Sequence, residues 1–289
     1  MNKFTRLIPL LLISFLSLTA SAQGLKVNVV GKGSPMILIP GLTCDGAVYD
    51  ETVKKYQSKY ECHVMTLPGF AGNPAIAFED NFIETVKDLV LEYINSNNIK
   101  NPTIVGHSLG GFIALSLAID HPKDFDKLVI VDSLPFLTAI QVPAATAESA
   151  KPFAENMKNM MLSGQGNNEA MQRMMLQSMI NDPKDIETAL QWGAASDPAT
   201  VAQAMYELYT TDLREDISKI ESPILVMGAW IAYKDYGSTR ESTLAIYEGQ
   251  YTKAPNCTVK MTDTGKHFIM WDDPEFYFAS IDSFLSAAE

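Results

Sequence analysis

The chain has 289 residues, 47% of them hydrophobic, and carries 34 Asp and Glu against 22 Lys and Arg, a formal charge of −12. So acidic a surface repels nucleic acid and anionic membranes, which argues against polyanions as partners and leaves small neutral molecules open. Three cysteines are too few and too odd for a disulfide scaffold, and four histidines without zinc spacing or a metalloprotease motif leave no metal site to expect.

The first element in the chain reads as a leader. Lys3 and Arg6 precede an apolar stretch over residues 7–18 that is too short to span a bilayer, and Ala20-Ser21-Ala22 forms a small-x-small cleavage site. The expectation is a signal peptide over residues 1–22 and export to the periplasm or the exterior. The mature chain would begin at Gln23 with a net charge of about −14, because Lys3 and Arg6 leave with the leader. No Cys follows the cleavage site, which argues against a lipid anchor, and no later segment approaches the length of a membrane span.

Beyond the leader, short apolar runs alternate with helical patterns, the signature of a parallel sheet covered on both faces. Strands are expected over residues 25–30 and 36–39, joined by a hairpin-like turn at Gly31-Lys32-Gly33-Ser34-Pro35. Further strands follow over 63–67, 103–105, 128–131, 224–227 and 258–261. The clearest helix covers 81–96, where Phe82, Val86, Leu89, Val90 and Tyr93 recur at helical spacing behind Asp80 as N-cap.

From Ser133 to Ser222 the alternation stops. Helical patterns over 150–162, 168–180, 185–193 and 199–209 predict an all-helical cap, residues 133–222, inserted between two core segments, 23–132 and 223–289. Eight of the fourteen Met fall in this insertion: Met157, Met160, Met161, Met171, Met174, Met175, Met179 and Met205. Met at such spacings is ordinary core, or the flexible lining of an apolar pocket if the cap sits over a site. Gly164-Gln165-Gly166-Asn167-Asn168 offers a hinge within it.

The chemistry concentrates in Gly106-His107-Ser108-Leu109-Gly110-Gly111, between the run Thr103-Ile104-Val105 and the helical pattern from Phe112. A Ser flanked by glycines at a strand-to-helix junction is a nucleophile elbow, whose tight turn leaves no room for side chains at Gly106 or Gly110. Acyl cleavage by Ser needs a base, a group that orients the base, and donors for the developing oxyanion. Of the four His, His107 sits inside the elbow and projects elsewhere, His63 begins a strand, and His121 ends a helix. His267, in the loop after the last strand and at the same sheet edge as the elbow, is the candidate base.

These residues resemble the α/β-hydrolase superfamily over nearly all of the mature chain. Ile37-Leu38-Ile39-Pro40-Gly41 resembles the family's oxyanion loop, His63-Val64-Met65-Thr66-Leu67-Pro68-Gly69-Phe70 its next strand and turn, and His267-Phe268 through Asp273-Pro274-Glu275 its C-terminal ending. The resemblance implies a mostly parallel central sheet flanked by helices, the order Ser, acid, His, and oxyanion donation by the amides of Leu42 and Leu109. Pro40-Gly41 stands where the family usually has His-Gly.

The acid is where this sequence departs from the family. The usual position, about three residues past the Gly that ends the penultimate strand, holds Ile231. Two carboxylates remain, Asp132 directly after the run 128–131, and Asp235 in Trp230-Ile231-Ala232-Tyr233-Lys234-Asp235. Asp132 is preferred and Asp235 is the alternative, their bland readings being a turn cap and a solvated loop charge.

A nucleophilic Ser excludes the haloalkane and epoxide branches of the superfamily, whose elbows carry Asp. The elbow looks most like that of esterases and lipases, which implies an exported carboxylic-ester hydrolase acting on an apolar-acyl ester through acyl-Ser108, without cofactor. Two other readings stand beside it. One is an amidase or aminopeptidase, with Glu148, Glu155 or Glu207 holding a substrate ammonium. The other is a catalytically silent binding protein, supported only by the anomalous acid. Cys44, two residues beyond Leu42, is placed near the site without a role.

Overall fold

The computed structural model describes residues 19–22, 24–79, 81–164 and 169–287. Residues 1–18 of the expected leader, the expected N-cap Asp80, and residues 165–168 of the expected hinge lie outside them. In chain order the elements are β1 (Thr19–Ala22), β2 (Leu25–Gly31), β3 (Ser34–Ile39), α1 (Asp50–Tyr56), β4 (Tyr60–Thr66), α2 (Phe82–Ser96), β5 (Thr103–His107), α3 (Leu109–Asp120) and β6 (Leu128–Val131). Next come α4 (Ala147–Leu162), α5 (Glu169–Met179), α6 (Pro183–Ala194), α7 (Pro198–Thr210), β7 (Ile224–Gly228), α8 (Arg240–Tyr251), β8 (Cys257–Met261), α9 (Ile269–Asp272) and α10 (Pro274–Ser286).

The strands form one sheet in the order β1-β2-β4-β3-β5-β6-β7-β8. Pairing is antiparallel from β1 to β2 and from β2 to β4, and parallel everywhere else. Every residue of β5, β6 and β7 is buried, because helices cover both faces there. The period of two sorts their side chains. Ile104, Leu128, Ile130, Ile224 and Val226 enter the core beneath α2 and α3, while Val105, Val129, Val131, Leu225 and Met227 enter the core beneath α10.

The turn over Gly31–Pro35 corrects the expectation of a hairpin. β2 and β3 do not pair; β4 lies between them, antiparallel to β2 and parallel to β3. Gly31 and Gly33 have φ of +92° and +127°, and a Cβ on either would strike the carbonyls of Gln57, Lys59 or Tyr60. The glycines therefore serve close passage beside the start of β4 rather than a two-strand turn. β4, buried over its last five residues, gains partners on both edges by inserting there.

Residues 133–222 contain α4 to α7 and no strand among the described residues. Three of these helices begin earlier than hydrophobic spacing alone indicates, because their starts are set by capping. Thr146 and Ser149 form a capping box at α4, and Asp182 and Asp197 cap α6 and α7 ahead of Pro183 and Pro198. α7 also caps the core. Asn81, at the N-cap of α2, makes no side-chain bond, and the Glu207 carboxylate instead accepts from the amides of Phe82 at 2.6 Å and Ile83 at 2.7 Å. Asp197 N–H donates to the Gly69 carbonyl at 2.7 Å, tying the start of α7 to the loop after β4.

α5 is the opposite case, for it buries no residue at all. Met160, Met171, Met174 and Met175 are each more than half exposed, and of the eight Met in the insertion Met179 and Met205 are half-buried and pack against the core.

Candidate active site

The elbow is built by exclusion of side chains. A Cβ on Gly106 would lie 2.3 Å from the Gly110 carbonyl oxygen, and one on Gly110 would lie 2.0 Å from the Ile39 carbonyl oxygen. With both positions bare, β5 turns directly into α3 and Ser108 takes φ +52° and ψ −118°, a backbone conformation that costs a non-glycine residue about 1–3 kcal/mol. Its amide is held by the Val131 carbonyl of β6 at 2.9 Å. Ser108 is half-buried and stands at the positive end of α3.

Two backbone amides converge on this end of the sheet. Leu109 opens α3, so its N–H has no partner within the helix. Leu42 lies in a turn closed by the Cys44 amide on the Gly41 carbonyl at 3.2 Å, with Thr43 at φ +62°. Gly41 passes so close to the elbow that a Cβ there would meet His107 Nδ1 at 2.9 Å and Ser108 Cβ at 3.2 Å. Cys44 sits beneath the turn, its thiol 3.4 Å from the Leu42 carbonyl and pushed up to about 12 by burial, so it stays protonated at neutral pH. Cys62 and Cys257 are likewise unbridged.

His267 lies in the loop after β8. Thr262 Oγ1 accepts from the Gly265 amide and donates to Asp273, and Asp272 accepts from the Lys266 amide. Nδ1 of His267 is 2.6 Å from Oδ2 of Asp132. Because a carboxylate only accepts, Nδ1–H donates in this contact, which leaves Nε2 as the ring nitrogen that would serve a general base.

Asp132 follows the last residue of β6 at φ +47°, its amide donating to the Met227 carbonyl at 2.7 Å. Its Oδ1 accepts from the Ala229 amide and from the Tyr247 hydroxyl, both at 2.7 Å. The structure therefore brings Asp132 to His267, both at the sheet edge that holds Ser108. Asp235 falls in the short 3-10 turn Ile231–Tyr236, and its side chain lies outside the described residues.

His107 does not project away from the site, as its place in the elbow suggested. Its ring centroid is 4.6 Å from that of His267 and 4.7 Å from that of Phe268, and its Nε2–H donates to the His267 carbonyl at 3.0 Å. Burial, and repulsion from a charged His267, hold it well below the ordinary histidine range, so it stays neutral. His63 lies inside β4 rather than at its start, 2.8 Å from the Tyr93 hydroxyl. His121 is the C-cap of α3, 3.4 Å from Asp124. Among the acidic residues of the insertion, Glu207 is committed to the start of α2 and Glu148 pairs with Lys151 on the exposed face of α4. No group of His, Cys, Asp and Glu among the described residues is arranged to hold a metal.

The family model of the alpha/beta hydrolase fold matches residues 34–274. The chain belongs to that family. Among curated relatives, the pimeloyl-[acyl-carrier protein] methyl ester esterase of Vibrio atlanticus (strain LGP32) is 28% identical over 210 residues, covering 68% of this chain and 76% of that protein. The esterase of the same name from Nitrosomonas europaea is 24% identical and covers 70% of this chain and 79% of its own length. Among solved structures, a hydrolase from Pseudomonas aeruginosa PA01 superposes with a TM-score of 0.77 at 15% identity, covering 95% of this chain and all of that one. An esterase from Exiguobacterium antarcticum gives 0.76 at 18% identity, covering 94% and 99%. At those identities the structural likeness shows the fold alone.

The chain departs from the pattern that the resemblance implies at the ends of two neighbouring strands. Past Gly228 of β7 come Ala229, Trp230 and Ile231, all apolar, and the carboxylate on His267 comes from β6 instead. Three supporting residues carried no signal for the roles they take. Tyr247 and Glu207 act across more than a hundred residues of chain, and His107 reads only as part of the elbow.

Proposed function

We propose that this alpha/beta hydrolase is an exported carboxylic-ester hydrolase with Ser108 as nucleophile, His267 as general base and Asp132 as the carboxylate that orients it. The observation that carries the reading is the 2.6 Å contact between His267 Nδ1 and Asp132 Oδ2, at the sheet edge where Ser108 holds its strained turn. The reading then requires that Ser108 Oγ attack the ester carbonyl carbon while its proton passes to His267 Nε2. The amides of Leu42 and Leu109 receive the charge that develops on the carbonyl oxygen. Collapse breaks the bond to the alkoxy oxygen, which leaves with the proton from His267, and water deprotonated by the same imidazole releases the acid.

The relatives support an ester as the scissile bond, since their name specifies a methyl ester. An apolar acyl group would find apolar surface on the exposed Met of α4 and α5, provided that those helices sit over Ser108. Tyr247 and Ala229 both bond to Asp132 Oδ1, which supports an acid held for catalysis over a silent binding protein. Export rests on the leader over residues 1–22, and an exported form beginning at Gln23 is the corresponding expectation. Cleavage there would also remove β1 from the outer edge of β2.

Hydrolysis of p-nitrophenyl acetate, butyrate, octanoate and palmitate, with Ser108→Ala alongside, tests the proposal. It expects turnover that falls by about 10^3-fold or more in the variant and a preference for one chain length. Equal turnover by wild type and Ser108→Ala on every ester would refute it.

A further inference from the structure

We infer that Tyr247 is a positioning residue for the acid, locking the Asp132 carboxylate so that Oδ2 alone is presented to His267. The inference rests on the assignment of Ser108, His267 and Asp132 proposed above, and it adds a fourth side chain that neither the sequence nor the family assigns.

Three observations carry it. The Tyr247 hydroxyl and the Ala229 amide both reach Oδ1 at 2.7 Å, from α8 and from the end of β7, so one oxygen is held from two elements and the other is left for the imidazole. The Tyr247 ring is buried and fitted against bare backbone: a Cβ on Gly228 would come within 3.0 Å of its Cε1. Asp132 itself stands at φ +47°, a conformation that a non-glycine residue keeps only when its surroundings hold it there. A strained backbone makes the carboxylate easy to misplace, and a second donor on Oδ1 opposes that.

The hydroxyl also takes up part of the carboxylate's charge. Removing it leaves more of that charge to attract an imidazolium, so the protonation of His267 should move to higher pH. Among the described residues, His107 beside the pair is held neutral, the Tyr251 hydroxyl is pushed well above its usual range by burial, and burial raises the Asp272 carboxyl against the pull of the Asn181 and Lys266 amides.

Tyr251 supplies the control. It lies one turn along α8, is equally buried, and donates to the Ser133 carbonyl at 2.8 Å, beside the acid but not on it. The experiment measures the rate at which diisopropyl fluorophosphate inactivates the protein as a function of pH, for wild type, Tyr247→Phe and Tyr251→Phe. In that reaction Ser108 Oγ bonds to phosphorus, fluoride leaves, and the hydroxyl proton goes to His267, so no knowledge of the natural substrate is needed.

Tyr247→Phe should react about tenfold more slowly on the plateau, with its acid limb displaced upward by roughly half a pH unit. Tyr251→Phe should keep the wild-type limb whatever it loses in thermal stability. If Tyr247→Phe does not fold, 3-fluorotyrosine at position 247, a stronger donor, should move the limb downward instead. Wild-type rate and limb in Tyr247→Phe, or an unmoved limb with fluorotyrosine, would overturn the inference while leaving the triad intact. A wild-type protein whose Ser108 is not labelled at all would overturn the triad and this inference with it.

Discussion

The ends of β6 and β7 are neighbours in the sheet, and it is the β6 end that sets a carboxylate beside His267. β7 ends in Gly228 and continues into Ala229, Trp230 and Ile231, with an apolar side chain where the resemblance calls for a carboxylate. β6 ends one residue before Asp132, whose side chain meets His267 at 2.6 Å. The two strands are in register, with Val131 beside Met227, and their C-terminal ends open toward the same histidine loop. The proposed assignment implies that a carboxylate at either end could orient one imidazole, and the two ends differ in their local backbone. At β6 the chain accepts a positive φ at Asp132, and β7 then contributes a main-chain amide, that of Ala229, in place of an acid.

The comparison has consequences of graded size. Whichever strand end supplies the carboxylate acts only through the imidazole, so His267→Ala should cost about 10^5-fold in kcat/KM, and adding Asp132→Asn should change that by less than about threefold. Additive losses would mean that Asp132 has a separate task. The position of the acid should also be partly reversible. In the Asp132→Asn background, Ile231→Asp should restore kcat by about tenfold or more, by returning the acid to the end of β7. Absence of rescue in a folded double variant would show that the two ends are not equivalent in reach.

The smallest effect concerns the seat that the β7 end gives to Tyr247. Gly228→Ala places a methyl against the Tyr247 ring and Met261, so it should lower stability by about 1–3 kcal/mol in a denaturant titration. Unchanged stability would indicate a looser seat than the packing shows.

The parallel core was legible because Ile104-Val105, residues 128–131 and residues 224–227 are short unbroken apolar runs, and the elbow because only glycine tolerates the contacts at positions 106 and 110. The misread hairpin at Gly31–Pro35 has a physical cause. Glycine marks a backbone that must pass close to something, without saying whether that neighbour is its own hairpin partner or a later strand. The exposure of Met174 and Met175 was equally hidden, since helical spacing says that residues share a face and not what covers it. Tyr247 looks like an unremarkable helix position in the sequence, and Glu207 only like a possible holder of a substrate ammonium, because each takes its meaning from a partner far away in the chain.

The most direct test of the assigned acid is kcat/KM of Asp132→Asn beside that of Asp235→Asn, on one p-nitrophenyl ester and at one pH. The account predicts a loss of about 10^3–10^4-fold in the first and a value within about twofold of wild type in the second. The reverse order would return the acid to the loop after β7 and contradict the assignment of Asp132.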